Sequence, residues 1–160
     1  MTQEIVIRKS LKSGGTKTIT IIAQKVETSI NKILIGLVFP NAKDNQGSGP
    51  KENKFVDLQR IERRYNVDGI ISSDAGNSVV SGAVFGIDSS STAQGKKNDL
   101  ISIFTDWGVF DLFYESVTTP ISVNSEKIMI TENANDSNAN PGDPPSNYDV
   151  KLTFWRGEDI

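Results

Sequence analysis

Apolar and polar residues alternate along much of this chain, and that period of two predicts β-strands rather than helices. The longest such stretch covers residues 55–73 and reads FVDLQRIERRYNVDGIISS. Every second position places four apolar residues on one strand face: Ile61, Tyr65, Val67 and Ile71. The opposite face carries the polar set Arg60, Glu62, Arg64 and Asn66. A strand with so much charge towards solvent is expected near a sheet edge or a subunit contact.

Shorter alternating or β-branched runs predict the remaining strands. They cover residues 4–8, 16–27, 31–39, 78–87, 109–115, 121–123, 127–132 and 148–155. The run 31–39 is apolar in both phases, so we expect it to be covered on both faces. A helix over 28–37 is the alternative, because Ile30, Ile33, Leu34 and Leu37 also fit a helical stripe. Gly36 and the β-branched content favour the strand.

One helix is predicted, over residues 98–107. Asn98 or Asp99 can cap its first turn, and Gly108 stands where a left-handed C-terminal cap belongs. Its apolar residues follow helical spacing: Leu100, Ile103, Phe104 and Trp107. This stripe should pack against the sheet.

Three polar stretches separate these elements and are predicted to be long loops, at residues 41–54, 88–97 and 133–147. Long loops in a compact domain usually carry a function or become ordered against a partner. The whole chain, residues 1–160, is of a length that fits one domain. The fold class predicted is mainly β, a β-sandwich or barrel with one short helix packed on its side.

Composition lowers the expectation of catalysis. The chain has no histidine and no cysteine, so the commonest general base and the thiolate nucleophile are both missing. We therefore expect no enzymatic activity, no cofactor and no metal. A formal charge of −3 does not favour attraction to nucleic acid or to an anionic membrane. The longest apolar run, 33–39, is too short to span a bilayer, and the first residues lack the pattern of a signal peptide.

Four local clusters could carry chemistry, and each has a plainer interpretation. Asp136 and Asp143 lack the spacing and the closing glutamate of a calcium loop. The glycines of 43–50 are followed by neither Lys-Ser nor Lys-Thr, as a phosphate loop requires. Asp111 and Glu115 would lie about 13 Å apart along a strand, too far for a carboxylate pair. The arginines of 60–64 alternate with Glu62 and divide between two faces, which favours ion pairs over nucleic-acid binding.

The aromatic residues divide into two groups. We expect Trp107, Phe110, Phe113 and Tyr114 to form a core beneath the helix. Trp155 falls out of phase with the apolar face of its strand, so an interface role is expected for it. Together with Arg60, Glu62 and Arg64, Trp155 makes up the candidate subunit interface. The alternative is a carbohydrate- or ligand-binding β-sandwich that stacks its ligand on Trp155 or Tyr148.

The order of elements resembles the tail-tube fold of tube, tube-initiator and baseplate proteins in tailed viruses and contractile injection systems. The likeness covers about residues 55–157 and includes DLQRIERRYNVDGII, the NDLISIFTDWG helix, and the VFDLFY, IMITE and YDVKLTFW strands. Residues 1–54 show no such likeness. The choice between the repeating tube protein and a specialised end protein stays open.

The resemblance implies a structural virion protein without catalytic activity, made in the host cytoplasm and located in the tail. Its subunits would form a ring, expected to be hexameric, in which the sheets of neighbours join into a continuous inner barrel. Long loops would become ordered against the rings above and below. The partners implied are further copies of the chain and other tail or baseplate proteins. Neither a membrane nor a specific nucleic-acid sequence is implied, although a genome could pass through the lumen.

Overall fold

The computed structural model describes residues 3–37, 54–73, 88–116, 118–132 and 145–160. These ranges contain six strands and one helix. The elements are β1 (Gln3–Ser10), β2 (Thr16–Leu37), β3 (Lys54–Ser72), α1 (Ala93–Thr105), β4 (Phe110–Phe113), β5 (Ile121–Glu132) and β6 (Asn147–Arg156). Neighbouring strands are antiparallel and close into a barrel in the order β1-β2-β3-β6-β5-β4, with β4 pairing back on β1. The predicted mainly β fold with one short helix is confirmed.

The barrel core follows the alternation in the sequence. Strand β6 shows it most clearly, because its four inward residues are all buried: Tyr148, Val150, Leu152 and Phe154. Strands β2 and β3 approach each other closely at Gly69. A Cβ added to Gly69 would lie 2.8 Å from both Ile21 Cγ2 and the Ile22 carbonyl oxygen, so only glycine fits there.

Helix α1 begins five residues earlier than predicted, because Thr92 caps it instead of Asn98 or Asp99. The Thr92 Oγ1 accepts a 3.1 Å hydrogen bond from the Gly95 amide. Residues 93–97 of the predicted loop 88–97 therefore form the first turns of α1. Ala93 and Lys96 of the first turn are buried. Because a hydrophobic pattern treats lysine as a solvent-facing residue, it does not show where the helix begins.

A buried ion pair explains how Lys96 can occupy that position. The Lys96 Nζ lies 3.2 Å from Asp88 Oδ2 and donates a 2.9 Å hydrogen bond to the Ser72 carbonyl. The Asp88 carboxylate in turn accepts hydrogen bonds from the Thr20 amide and hydroxyl, at 2.9 and 2.7 Å. This network joins the start of α1 to the first part of β2 and the last residue of β3.

Two predicted pairs of strands are single strands in the structure. Predicted strands 16–27 and 31–39 are the continuous β2 through Leu37, which also excludes the helical alternative over 28–37. Predicted strands 121–123 and 127–132 are the continuous β5, with a register shift between Ser125 and Lys127. The polar residues in the middle of each pair gave the appearance of a break.

Several predictions fall wholly or mainly outside the described residues. These are the strand over 78–87, the loops over 41–54 and 133–147, the glycines of 43–50, and Asp136 and Asp143. Lys54 is the first residue of β3 and Asn147 the first of β6, so the described strands begin where these two loops were predicted to end.

Replacing Asp88 with alanine is expected to destabilise the fold strongly. The buried Lys96 ammonium would lose its carboxylate, and breaking a buried pair from one side costs about 3–5 kcal/mol. Urea unfolding would measure the change in the free energy of unfolding. Glu27→Ala is the matched control, since it removes the exposed pair with Lys25 and should leave stability unchanged. Equal effects of the two substitutions would contradict this account of the network.

Candidate assembly surface

Strands β2 and β3 run beyond the barrel as a two-stranded ribbon. Strand β1 pairs with β2 only as far as Ala23, and β6 pairs with β3 only from Arg64 onward. Within the described residues, 27–37 of β2 and 54–63 of β3 are therefore held mainly by each other. At the usual rise per residue the ribbon, as we call these two segments, is about 30 Å long. Among the described strands, none pairs with the two outer edges of the ribbon.

The ribbon exposes eight large apolar side chains, from 39% to 62% accessible. They are Ile30, Leu34, Ile35, Leu37, Phe55, Val56, Leu58 and Ile61. The prediction that strand 31–39 is covered on both faces is therefore wrong for the single chain. Ile61, predicted in the core with Tyr65, is also exposed. The alternation predicted its strand face correctly, but none of the described elements lies over that part of β3.

The two faces of the ribbon differ in chemistry near the barrel. Opposed residues in an antiparallel ladder share a face. The face in phase with the buried Tyr65 carries Ile30 opposite Arg63 and Lys32 opposite Ile61. The face in phase with the outside of the barrel carries Ser29 opposite Arg64 and Asn31 opposite Glu62. We call these the inner and the outer face of the ribbon.

Three of the four predicted interface residues lie together on the outer face, at the base of the ribbon. Arg64 and Trp155 are opposed in the β3–β6 ladder, and the guanidinium carbon lies 3.8 Å from the indole centroid. Glu62 Oε2 is 3.9 Å from Arg64 Nη2. The indole Nε1 of Trp155 donates to Glu126 Oε2 at 2.5 Å. We call Glu62, Arg64, Glu126 and Trp155 the base cluster.

Polar atoms near the base cluster are not fully satisfied by the chain itself. Within the described residues, Arg64 Nε and Ser125 Oγ are buried and have no hydrogen-bond partner. Ser125 lies in β5 next to Glu126, at the register shift of that strand. A buried polar atom without a partner costs free energy, so this region would gain stability from an added acceptor.

Arg60, the fourth predicted interface residue, is not part of the base cluster. The β2–β3 register jumps from Lys32 opposite Ile61 to Leu34 opposite Asp57, which leaves Arg60 in an irregular segment without a β2 partner. Gln59 there has a positive φ of 56°. The alternation that groups Arg60 with Glu62 and Arg64 therefore does not extend through this segment.

Asp57 holds the irregular segment in place. Its carboxylate accepts a 2.8 Å hydrogen bond from the Gln59 amide and lies 2.8 Å from Lys32 Nζ. The hydrogen bond from Lys32, followed by that from the Gln59 backbone, holds the pKa of Asp57 below its usual value. Contacts from both strands of the ribbon thus hold the irregular segment of β3 in place.

The structure corrects several of the aromatic predictions. Trp107, expected beneath the helix, is 80% exposed. Phe110 lies in the barrel core and Tyr114 packs against it, whereas Phe113 is buried outside that core, with the Arg8 guanidinium over its ring. Tyr148 is only 1% exposed, and its ring faces the Lys97 ammonium at 5.0 Å. Burial raises the pKa of Tyr148, with a smaller contribution from Glu132. Tyr148 is therefore not an accessible stacking platform for a ligand.

The sequence did not predict the apolar residues on the solvent side of α1. The helix buries Ala93, Lys96, Leu100 and Ile103, and this set turns Ile101 and Phe104 outward. The sequence grouped Phe104 and Trp107 with Leu100 and Ile103. The buried Lys96 determines which side of α1 faces the barrel. A hydrophobic scale ranks lysine as polar and therefore does not predict this orientation.

Other kinds of site receive no support from the described residues. No group of three or more acidic residues there could hold a metal ion. Asp111 lies in β4, but Glu115 lies beyond the end of that strand at Phe113. No helix among them is long and apolar enough to span a membrane. No protein-family model matches the sequence, and a search of curated proteins finds no match.

Removing the Arg64 side chain should uncover the Trp155 ring. In a Trp107→Phe background Trp155 is the sole tryptophan, and Arg64→Ala is expected to move its fluorescence emission to longer wavelength. Loss of the cation–π contact should lower the free energy of unfolding by about 1 kcal/mol. Arg63→Ala is the control, since Arg63 lies on the inner face. An emission spectrum unchanged by Arg64→Ala would show that the stack does not form in solution.

Proposed function

We propose that this protein is a structural protein of a viral tail tube or baseplate, which assembles with copies of itself into rings and performs no catalysis. The observation that carries the proposal is the ribbon, with its eight exposed apolar side chains and two edges that no described strand covers. A surface of this kind favours aggregation of a free monomer and becomes favourable when a neighbouring subunit covers it.

Physical considerations support self-assembly over binding of a small ligand. The exposed apolar residues extend along a ribbon about 30 Å long and do not line a concave pocket. At about 25 cal/mol per Å² of apolar area removed from water, covering several such side chains would supply many kcal/mol. The partner must therefore be another extended surface, such as that of a second subunit.

The base cluster is the candidate lateral contact of such a ring. Arg64 is held against Trp155 and keeps a partly exposed guanidinium, so less side-chain entropy is lost when it binds a neighbour's carboxylate. Its buried Nε has no partner within the described residues. A carboxylate of the next subunit would pair with the exposed part of the guanidinium. Arg, Glu and Trp side chains would then form the subunit contact that the sequence predicts.

The particular assignment to a tail tube or baseplate rests on the resemblance in the order of elements. The barrel has one short helix, and two long strands extend beyond it. This arrangement agrees with a subunit whose sheet joins those of its neighbours. On this proposal the protein is located in the virion tail after synthesis in the host cytoplasm. Its partners are further copies of itself and other tail or baseplate proteins.

The alternative, a carbohydrate- or ligand-binding module, fits the site less well. Tyr148 is buried, and the Arg64 guanidinium lies over one side of the Trp155 ring. Tyr148 thus has no open aromatic face to stack on a sugar, and one face of Trp155 is already occupied. We therefore do not adopt this function.

Placing a charge on the inner face of the ribbon is expected to prevent assembly. Ile30 is 59% exposed, so Ile30→Asp should leave the melting temperature unchanged while it abolishes the rings or tubes formed by the unmodified chain. Sedimentation velocity and negative-stain electron microscopy at increasing concentration would follow the assembly. Met129→Asp is the matched control, since it adds the same charge at a 48% exposed apolar residue of β5, outside both the ribbon and the base cluster. An unmodified chain that stays monomeric at high concentration would contradict the proposal.

A further inference from the structure

A second unpartnered apolar surface lies on α1 and the turn that follows it. Ile101, Phe104 and Trp107 are 40%, 38% and 80% exposed, and we call them the helix stripe. The other solvent-facing residues of this helix side include Gln94, Asn98 and Thr105, and Lys97 is the charged residue among them. An outer face with a single charge is unusual for a helix that meets only water.

The turn that presents Trp107 is held rigidly from below. Lys9 is only 5% exposed, and its Nζ donates hydrogen bonds to three successive carbonyl oxygens, those of Asp106, Trp107 and Gly108, at 3.4, 2.9 and 3.0 Å. The same ammonium lies 3.3 Å from Asp106 Oδ2. A buried cation thus fixes the backbone on both sides of Trp107.

The end of the chain holds the same turn from another side. Asp159 Oδ2 accepts a 3.1 Å hydrogen bond from the Val109 amide. Gly108 has a φ of 102°, and a Cβ there would lie 2.9 Å from Asp159 Oδ2, so the turn requires glycine. An exposed tryptophan on a fixed backbone loses little entropy on binding, and such residues often dominate the energy of an interface.

Charge points to the ribbon as the surface that the helix stripe binds. The Asp159 carboxylate lies beside the turn that carries Trp107, and it has no ion pair within the described residues. The inner face of the ribbon combines Ile30 and Ile61 with the cations Arg63 and Lys32. Lys32 is paired with Asp57, whereas Arg63 has no ion-pair partner in the part of the chain that the structure describes. The two surfaces are therefore complementary in both apolar character and charge.

The two surfaces cannot meet within one copy. Helix α1 is fixed to the start of β2 by the 3.3 Å pair of Lys17 with Asp99, and the ribbon begins more than ten residues further along that strand. Residues 17 and 30 of β2 are roughly 40 Å apart along an extended strand. A contact between them must therefore join two copies.

We propose that the inner face of the ribbon of one copy docks on the helix stripe of the next, with Arg63 paired to Asp159. This inference rests on the self-assembly proposed above and names the surfaces that carry it. Because the two surfaces are different patches, the contact is heterologous and propagates from copy to copy. A contact of the ribbon with a second ribbon, or with an unrelated protein, is the competing outcome.

Oxidative footprinting of Trp107 would test this contact directly. In the unmodified chain, mass spectrometry reads the oxidation of Trp107 and Trp155 separately, and oxidation of Trp107 should slow as concentration drives assembly. Ile30→Asp should abolish this protection, and Met129→Asp, at an exposed residue of β5 outside the ribbon and the base cluster, should retain it. Assembly seen by sedimentation with no change in Trp107 oxidation would overturn the helix stripe as the docking site and leave self-assembly standing. Absence of assembly at every concentration would overturn both.

A double-mutant cycle would test the pairing of Arg63 with Asp159. Arg63→Gln and Asp159→Asn, which keeps an oxygen to accept from the Val109 amide, should each weaken association about tenfold, and the double variant should be little weaker than either single variant. Sedimentation equilibrium would measure the association constants, and thermal unfolding would check that each variant is folded. Additive weakening in the double variant would overturn the pairing. Equal association of all four proteins would overturn it as well.

Discussion

A two-stranded ribbon cannot bury its own side chains, and this constraint governs the structure. In the barrel, every strand has two neighbours and an interior to face. The pairing of β1 with β2 ends at Ala23, and that of β6 with β3 begins at Arg64. Beyond these points β2 and β3 still carry apolar residues. Eight large apolar side chains are left in water as a result. No part of the chain that the structure describes covers them, and for that reason we propose self-assembly as the function.

The rest of the molecule holds its two apolar surfaces in fixed positions. At the base of the ribbon, the stack of Arg64 on Trp155 joins β3 to β6 where the barrel ends. At the other end of β2, the buried pair of Asp88 with Lys96 fixes the rotation of α1 and so sets which residues face outward. Rigid placement reduces the entropy lost on association. On the proposed function, stability and assembly would depend on the same small number of charged contacts.

The sequence predicted those features that depend on alternation alone. The inward residues of β6, the outward position of Trp155 and the mainly β fold with one helix follow from a period of two and one helical stripe. Burial that depends on a specific partner could not be predicted. Lys96 is buried because Asp88 meets it, and Ile61 is exposed because nothing covers it. Trp107 was placed in the core because its spacing fits a helix that ends before it.

Hydrogen–deuterium exchange of the ribbon at two protein concentrations tests the central claim most directly. In dilute solution, amides of residues 27–37 and 54–63 should exchange much faster than those of β6, since each ribbon strand has one neighbour and an open edge. At concentrations where the protein assembles, the ribbon should become protected while β6 is unchanged. A ribbon that exchanges at the same rate in the dilute and the assembled protein would contradict the claim that a second copy covers it.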